Sequence, residues 1–315
     1  MYPIAHLQTA LRAALLPALL YFLTVWFGIN AFTRRYDLKG LPEEQQPARR
    51  DVIITSAFFA VPFLILLERM FIGGMTPQYA ASVAILAAFL LLFIDGKLRF
   101  DGRKTVQRLE QACLNTGKQV AMIAAIILCA SLIIGVLGAT GLGVKITSLI
   151  LSGSGEMLWP ALLLTAGACL ILGMEVPTTA AYVICISVAG PALQQLGLAP
   201  LQAHLFVFWF ALLSTITPPV CGAVFIAAGM VDENWLKVSL NAMALGLGLY
   251  IIPLALIANP ALIGLSDDPV SAVIQFMKIG LCLSAVSYGV IAPLNPILKA
   301  GLTIAGLTGI FFLPL

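Results

Sequence analysis

Residues 158–197 read LWPALLLTAGACLIL (158–172), GMEVPTT (173–179) and AAYVICISVAGPALQQLG (180–197): two apolar arms around a short polar interruption. The first arm has about 15 residues, roughly 22 Å of helix, which falls short of a hydrocarbon core about 30 Å thick. Pro177 lacks a backbone donor and disfavours helix at Val176 before it, while Gly173 tolerates conformations closed to other residues. Helical hydrogen bonding is therefore expected to fail between about 173 and 177. The geometry implied is a re-entrant helical hairpin over 158–196 that enters from the outer face, turns near mid-membrane and leaves by the same face. Irregular backbone at that depth is tolerated only when it is buried in protein or lines a polar cavity.

A second interruption follows at Ser214-Thr215-Ile216-Thr217-Pro218-Pro219, inside an apolar stretch over 201–230. Two prolines free carbonyls one turn earlier, and three hydroxyls stand at the same level. Carbonyl and hydroxyl oxygens suit a hard cation such as sodium, and half-helix N-termini suit an anion; broken helices meeting near mid-membrane are how ion-coupled transporters build such sites. Thr178 and Thr179, opening the return arm, fit the anion role. The two breaks are expected to face each other across a cavity. Glu175 is the only carboxylate between Glu156 and Asp232, so it is read as a proton carrier, cation ligand or gate, against a plain alternative in which the tip opens to water and merely solvates it. His204 is read as a hydrogen-bonded interfacial histidine rather than a relay. Pro160, Pro191 and Pro253 are kinks.

Outward from this region the chain stays apolar. Its 315 residues are 61% hydrophobic and 10% charged, with mean hydropathy +1.03; soluble domains carry about 25% charged residues. Apolar stretches at 7–32, 52–72, 78–94, 119–138, 241–258, 270–293 and 297–314 read as spans. Barrel-type alternation is absent, which predicts an all-α, polytopic membrane protein. Eleven of the 17 Lys and Arg residues fall within 34–50 and 97–118, which places both loops in the cytoplasm. Asp37, Glu43, Glu44, Asp51, Asp95, Asp101 and Glu110 interleave with the bases, which argues against nucleic acid. Val106, Leu109 and Cys113 recur at helical spacing, and predict an amphipathic helix along the cytoplasmic interface. The six cysteines form no CxxC and are core residues. The start lacks the basic residues and cleavage site of a secretory signal, so the first helix is a retained span.

The residues quoted at 173–182, with His204-Leu205-Phe206-Val207-Phe208, Ser214 to Val220 and Asn259-Pro260-Ala261-Leu262, resemble the large membrane subunit of tripartite ATP-independent periplasmic (TRAP) transporters, in particular the fused permeases of the TAXI branch. The similarity is specific over 119–262 and weaker before it; 270–315 offers no motif. The resemblance implies an elevator-like permease in the bacterial inner membrane. Its organic-acid substrate would be delivered by a periplasmic solute-binding protein and its uptake driven by sodium ions. It carries cation-site character onto Gly173, Thr178, Thr179, Ser214, Thr217 and Pro218. Relatives usually place a small or apolar residue where Glu175 stands and often Asn where Thr215 stands. The candidate substrate and ion site is therefore Gly173, Glu175, Thr178, Thr179, Ser214, Thr215, Thr217 and Pro218, with Gly173, Thr178, Ser214 and Thr217 as sodium ligands.

Family permeases hold two inverted repeats, and this chain shows one convincing set, matching the C-terminal half. The expected organisation is scaffold-like spans and the interfacial helix in 1–118, the transport repeat in 119–262 and a membrane extension in 263–315. A separate polypeptide is expected to supply the other repeat, or the sequence is a fragment. Membrane lipids complete the partners. An enzyme would need a Ser/His, paired-acid or metal constellation at depth, which the sequence does not supply. The rival reading is a structural subunit, inactive without its partner half.

Overall fold

The computed structural model describes residues 2–39, 46–93, 102–174, 178–219 and 221–313. Every regular element among them is helical. In chain order these are α1 (Tyr2–Arg35), α2 (Arg49–Phe71), α3 (Pro77–Leu91), α4 (Gly102–Thr140), α5 (Leu142–Gly153), α6 (Leu158–Leu172), α7 (Thr178–Gln195), α8 (Pro200–Leu213), α9 (Gly222–Val231), α10 (Trp235–Leu245), α11 (Leu247–Ala258), a 3-10 turn (Pro260–Ile263), α12 (Pro269–Ile291) and α13 (Pro296–Phe311). Spans long and apolar enough to cross a bilayer lie in α1, α2, α4 and α12. The chain is an all-α, multi-pass membrane protein.

It divides into two compact units, one of residues 1–11 and 39–125 and the other of 12–38 and 126–315. In the first, α2 and α3 form a helical hairpin. Thr76 caps α3, its hydroxyl accepting from the Tyr79 amide at 3.4 Å. The second unit holds the candidate site. There α6 and α7 form the hairpin expected from residues 158–196. Both arms pack on α8, and α5 lies against both. The Thr147 hydroxyl on α5 donates to the Val188 carbonyl of α7 at 3.0 Å. The core joins Leu162, Cys169 and Cys185 of the hairpin to Phe206, Trp209 and Phe210 of α8 and to Ile252 and Leu256 of α11.

Three expectations are corrected. The predicted interfacial helix and the span at 119–138 are one helix, α4, of 39 residues. Between Val106 and Gln119 the only breaker is Gly117, and a lone glycine costs a helix only about 1 kcal/mol. The stretch 241–258 is not one straight span, because α10 and α11 meet at Gly246 with a 43° bend. The stretches 78–94 and 297–314 form helices of 15 and 16 residues, both shorter than the spans read there.

In the second unit, buried Asn259 links α11, α12 and the end of α13 through hydrogen bonds. The Asn259 side-chain amide donates to the carbonyls of Ala255 and Ile310, each at 3.0 Å. The Lys278 ammonium donates to the Asn259 side-chain oxygen and to the Leu313 carbonyl, each at 2.9 Å. The last carbonyls of a helix have no partner within it; here Asn259 serves that of Ile310 in α13, and Lys278 serves that of Leu313 just beyond the helix.

Candidate functional site

The two helix interruptions meet. Gly173 follows the last residue of α6 and Ser214 follows the last residue of α8, and both are buried. The Ser214 hydroxyl lies 2.9 Å from the Gly173 carbonyl and 2.7 Å from the Ala211 carbonyl, so one proton serves two acceptors in turn. A Cβ at position 173 would stand 2.5 Å from the Ser214 oxygen and 2.9 Å from its Cβ. Glycine is needed here for close approach. Its backbone is helical (φ −85°), so positive φ is not the reason. At this pair the expected cavity is replaced by direct hydrogen-bonded contact.

The other hydroxyls of the second break turn back onto α8. Thr215 donates to the Leu212 carbonyl at 2.8 Å, and Thr217 to the Leu213 carbonyl at 2.7 Å. These two carbonyls also accept the Thr215 and Ile216 amides, at 3.3 and 3.2 Å, so the hydroxyls reinforce the last turn of α8, while the carbonyls that Pro218 and Pro219 leave without a helical donor are those of Ser214 and Thr215. Each carbonyl oxygen has two lone pairs, and a hydroxyl that has given its proton to a carbonyl presents only lone pairs to its surroundings. The break therefore exposes acceptors, the ligand type a hard cation takes. Pro218 follows directly, half-buried, and the Pro218–Pro219 peptide is cis.

Thr178 and Thr179 open α7, where the first backbone N–H groups of the helix lack intrahelical partners. Thr178 is half-buried and Thr179 exposed. Among the described residues, no side-chain hydrogen bond joins either threonine to the α8 break. Glu175, with Val176 and Pro177, lies outside the described residues.

Several contributors to the site were not identified from sequence. The Tyr250 phenol of α11 lies 2.7 Å from the Thr217 hydroxyl, and the buried Ser239 hydroxyl of α10 donates to the Ile216 carbonyl at 3.0 Å. They stand 33 and 23 residues from their partners inside apolar helices, so spacing offered no signal; only their polarity in apolar surroundings marked them. His204 pairs through Nδ1 with the Tyr182 phenol at 2.7 Å, tying α8 to the hairpin arm α7. A groove of about 600 Å³ between α1 and α8, walled by Phe22, Trp26, Phe208 and Leu212, contains none of the break residues.

Compared with known families, the chain matches the one described as "Tripartite ATP-independent periplasmic transporter, DctM component" over residues 4–269. Neither the curated proteins nor the solved structures gave a match.

Proposed function

Because the chain belongs to the DctM component family of tripartite ATP-independent periplasmic transporters, a family of membrane permease components, we propose that it carries out sodium-coupled uptake of an organic acid across the bacterial inner membrane. The solute arrives from a periplasmic solute-binding protein, and a second polypeptide supplies the other inverted repeat. The observation that carries this reading is the contact of Gly173 with Ser214. It joins two helix interruptions of a permease, and one of them is lined by hydroxyl oxygens whose protons are engaged in hydrogen bonds to carbonyls. Such a cluster attracts a cation and repels an anion.

Sodium is held by the oxygens of Gly173, Ser214, Thr215 and Thr217. The carboxylate of the solute is met by the positive end of α7 at Thr178 and Thr179, where unpaired N–H groups and the helix dipole act together. Keeping the two charges on separate helix ends makes their binding mutually favourable, since each offsets the field of the other. That is the linkage coupled transport requires.

The test is uptake of labelled small carboxylic acids into proteoliposomes, with the solute-binding protein outside and an imposed sodium gradient. The assembled complex accumulates solute and the purified chain alone does not. Thr217→Ala weakens the sodium dependence, and Thr178→Ala raises the solute concentration that half-saturates uptake, while the complex still assembles. Sodium-driven uptake by the lone chain would contradict the requirement for a second polypeptide. Undiminished sodium dependence in Thr217→Ala together with unchanged solute affinity in Thr178→Ala would leave the chain a scaffold.

A further inference from the structure

The proton inventory around Thr217 fixes the direction of a hydrogen bond. The Thr217 hydroxyl lies 2.7 Å from the Leu213 carbonyl and 2.7 Å from the Tyr250 phenol. A carbonyl only accepts, so the single Thr217 proton goes to Leu213; directed anywhere else, it would leave two bare oxygens opposed at that distance. The Tyr250 O–H must then donate to Thr217. A threonine oxygen has two lone pairs, and the phenol occupies one. The orientation of the lone pair that remains for a ligand is set by Tyr250.

Ser239 does the same one residue earlier. Its hydroxyl donates to the Ile216 carbonyl at 3.0 Å, taking one acceptor position and directing the other, and Cys221 Sγ is 3.9 Å from the Ser239 oxygen. Ser239 stands on α10 and Tyr250 on α11, on opposite sides of the bend at Gly246. The bend lets one bent pair reach two consecutive residues of the break, which a straight helix passing at an angle would not do as readily. The Thr215 and Ile216 amides bond back to Leu212 and Leu213 of α8, at 3.3 and 3.2 Å, and the hydroxyls of α10 and α11 then direct the Ile216 and Thr217 oxygens.

We propose that Tyr250 and Ser239 are positioning residues for the cation site, acting through Thr217 and Ile216 rather than by contact with the ion. This rests on the reading of the break as a sodium site. Leu213 holds the Thr217 proton and Tyr250 fixes which of the two lone pairs is left for a ligand, so losing the phenol hydroxyl leaves the threonine oxygen anchored on one side only and weakens a preformed ligand. Ser239 keeps the adjacent carbonyl in register with it.

The experiment measures the sodium concentration that half-saturates the rise in thermal unfolding midpoint of the assembled complex, with choline chloride holding ionic strength constant. Tyr250→Phe keeps the ring and is expected to raise that concentration roughly tenfold, the equivalent of one hydrogen bond. Ser239→Ala is expected to act in the same direction, and Ser239→Thr, which keeps the hydroxyl, to restore the wild-type value. The decisive variant is Tyr250→Phe combined with Thr217→Val: if the tyrosine acts through the threonine, the pair is no weaker than Thr217→Val alone. Additive losses, or a Tyr250→Phe complex indistinguishable from wild type, would overturn the positioning role and leave the sodium site standing. A wild-type complex that does not respond to sodium would remove both, and that outcome is visible before any variant is made.

Discussion

Two interruptions of apolar helix lie side by side in the second unit, and they are built differently. Between α8 and α9, residues 214–219 leave the α-helix through turns; between α10 and α11 the chain bends 43° at Gly246 and resumes at once. In the bend almost nothing is lost. The Gly246 amide still bonds the Ala242 carbonyl and the Leu249 amide bonds the Gly246 carbonyl, each at 2.9 Å. In the break, Pro218 and Pro219 have no amide to give to the Ser214 and Thr215 carbonyls, and the Thr215 and Thr217 hydroxyls spend their protons on the last carbonyls of α8. A bend made with glycine keeps its donors and redirects a helix; a break made with prolines and hydroxyls gathers acceptors. The first is a support and the second is a site.

The largest test of that contrast is at Gly173, where the hairpin touches the break. Any side chain there meets the Ser214 Cβ as well as its hydroxyl, so Gly173→Val must push the two interruptions apart. Overpacking of this kind costs about 1–3 kcal/mol, and the expected result is a lower thermal midpoint together with complete loss of its sodium dependence. A variant that keeps the wild-type sodium response would show that the contact is not part of the site.

Next in size is Gly28 on α1. A Cβ there collides with the Leu245 carbonyl, beside the bend. Gly28→Ala is expected to lower the thermal midpoint by several degrees, as a destabilisation of about 1–3 kcal/mol implies for a domain of this size. Because the bent pair reaches the break through the hydrogen bonds of Ser239 and Tyr250 among the described residues, the half-saturating sodium concentration should move a few-fold at most. If Gly28→Ala abolished the sodium response as completely as Gly173→Val, bend and break would be a single unit and the contrast would fail.

The distinction also marks what could be read from residues alone. Pro177, Pro218 and Pro219 announce their breaks because a missing amide is a property of the residue itself, and the hairpin at 158–196 and the interruption at 214–219 follow from them. The bend at Gly246 does not announce itself, since an isolated glycine in an apolar run is compatible with a straight span; Gly28, over 200 residues away, packs against it. The continuity of α4 was missed for the opposite reason: a shift from charged to apolar composition near Gln119 marks a change of environment, which a helix crosses without breaking. Gly173 was expected to supply backbone freedom and instead supplies room. Tyr250, Ser239 and the Lys278–Asn259 network depend on helices brought together by folding, which no local pattern encodes.

The smallest effect is expected at the exposed end of the bent pair. Lys237 on the first turns of α10 donates to both carboxylate oxygens of Glu233, at 3.0 and 3.1 Å, in water rather than in the core. The hydrogen bond and charge of Lys237 hold the Glu233 carboxyl below its ordinary value of 4.5. The sign follows from linkage: a depressed carboxyl contributes above its unfolded value and loses that contribution as pH falls through the folded one, so the pair survives mild acid and gives way only below about 4.5. Exposed pairs of this spacing contribute little and are screened by salt. Glu233→Gln is therefore expected to leave both the thermal midpoint and its sodium dependence unchanged between pH 6 and 8. Any difference from wild type should be confined to the acid limb. A change in sodium response at neutral pH would mean that the start of α10 transmits to Ser239 and onward to the break, extending the support one helix turn beyond the residues that touch it.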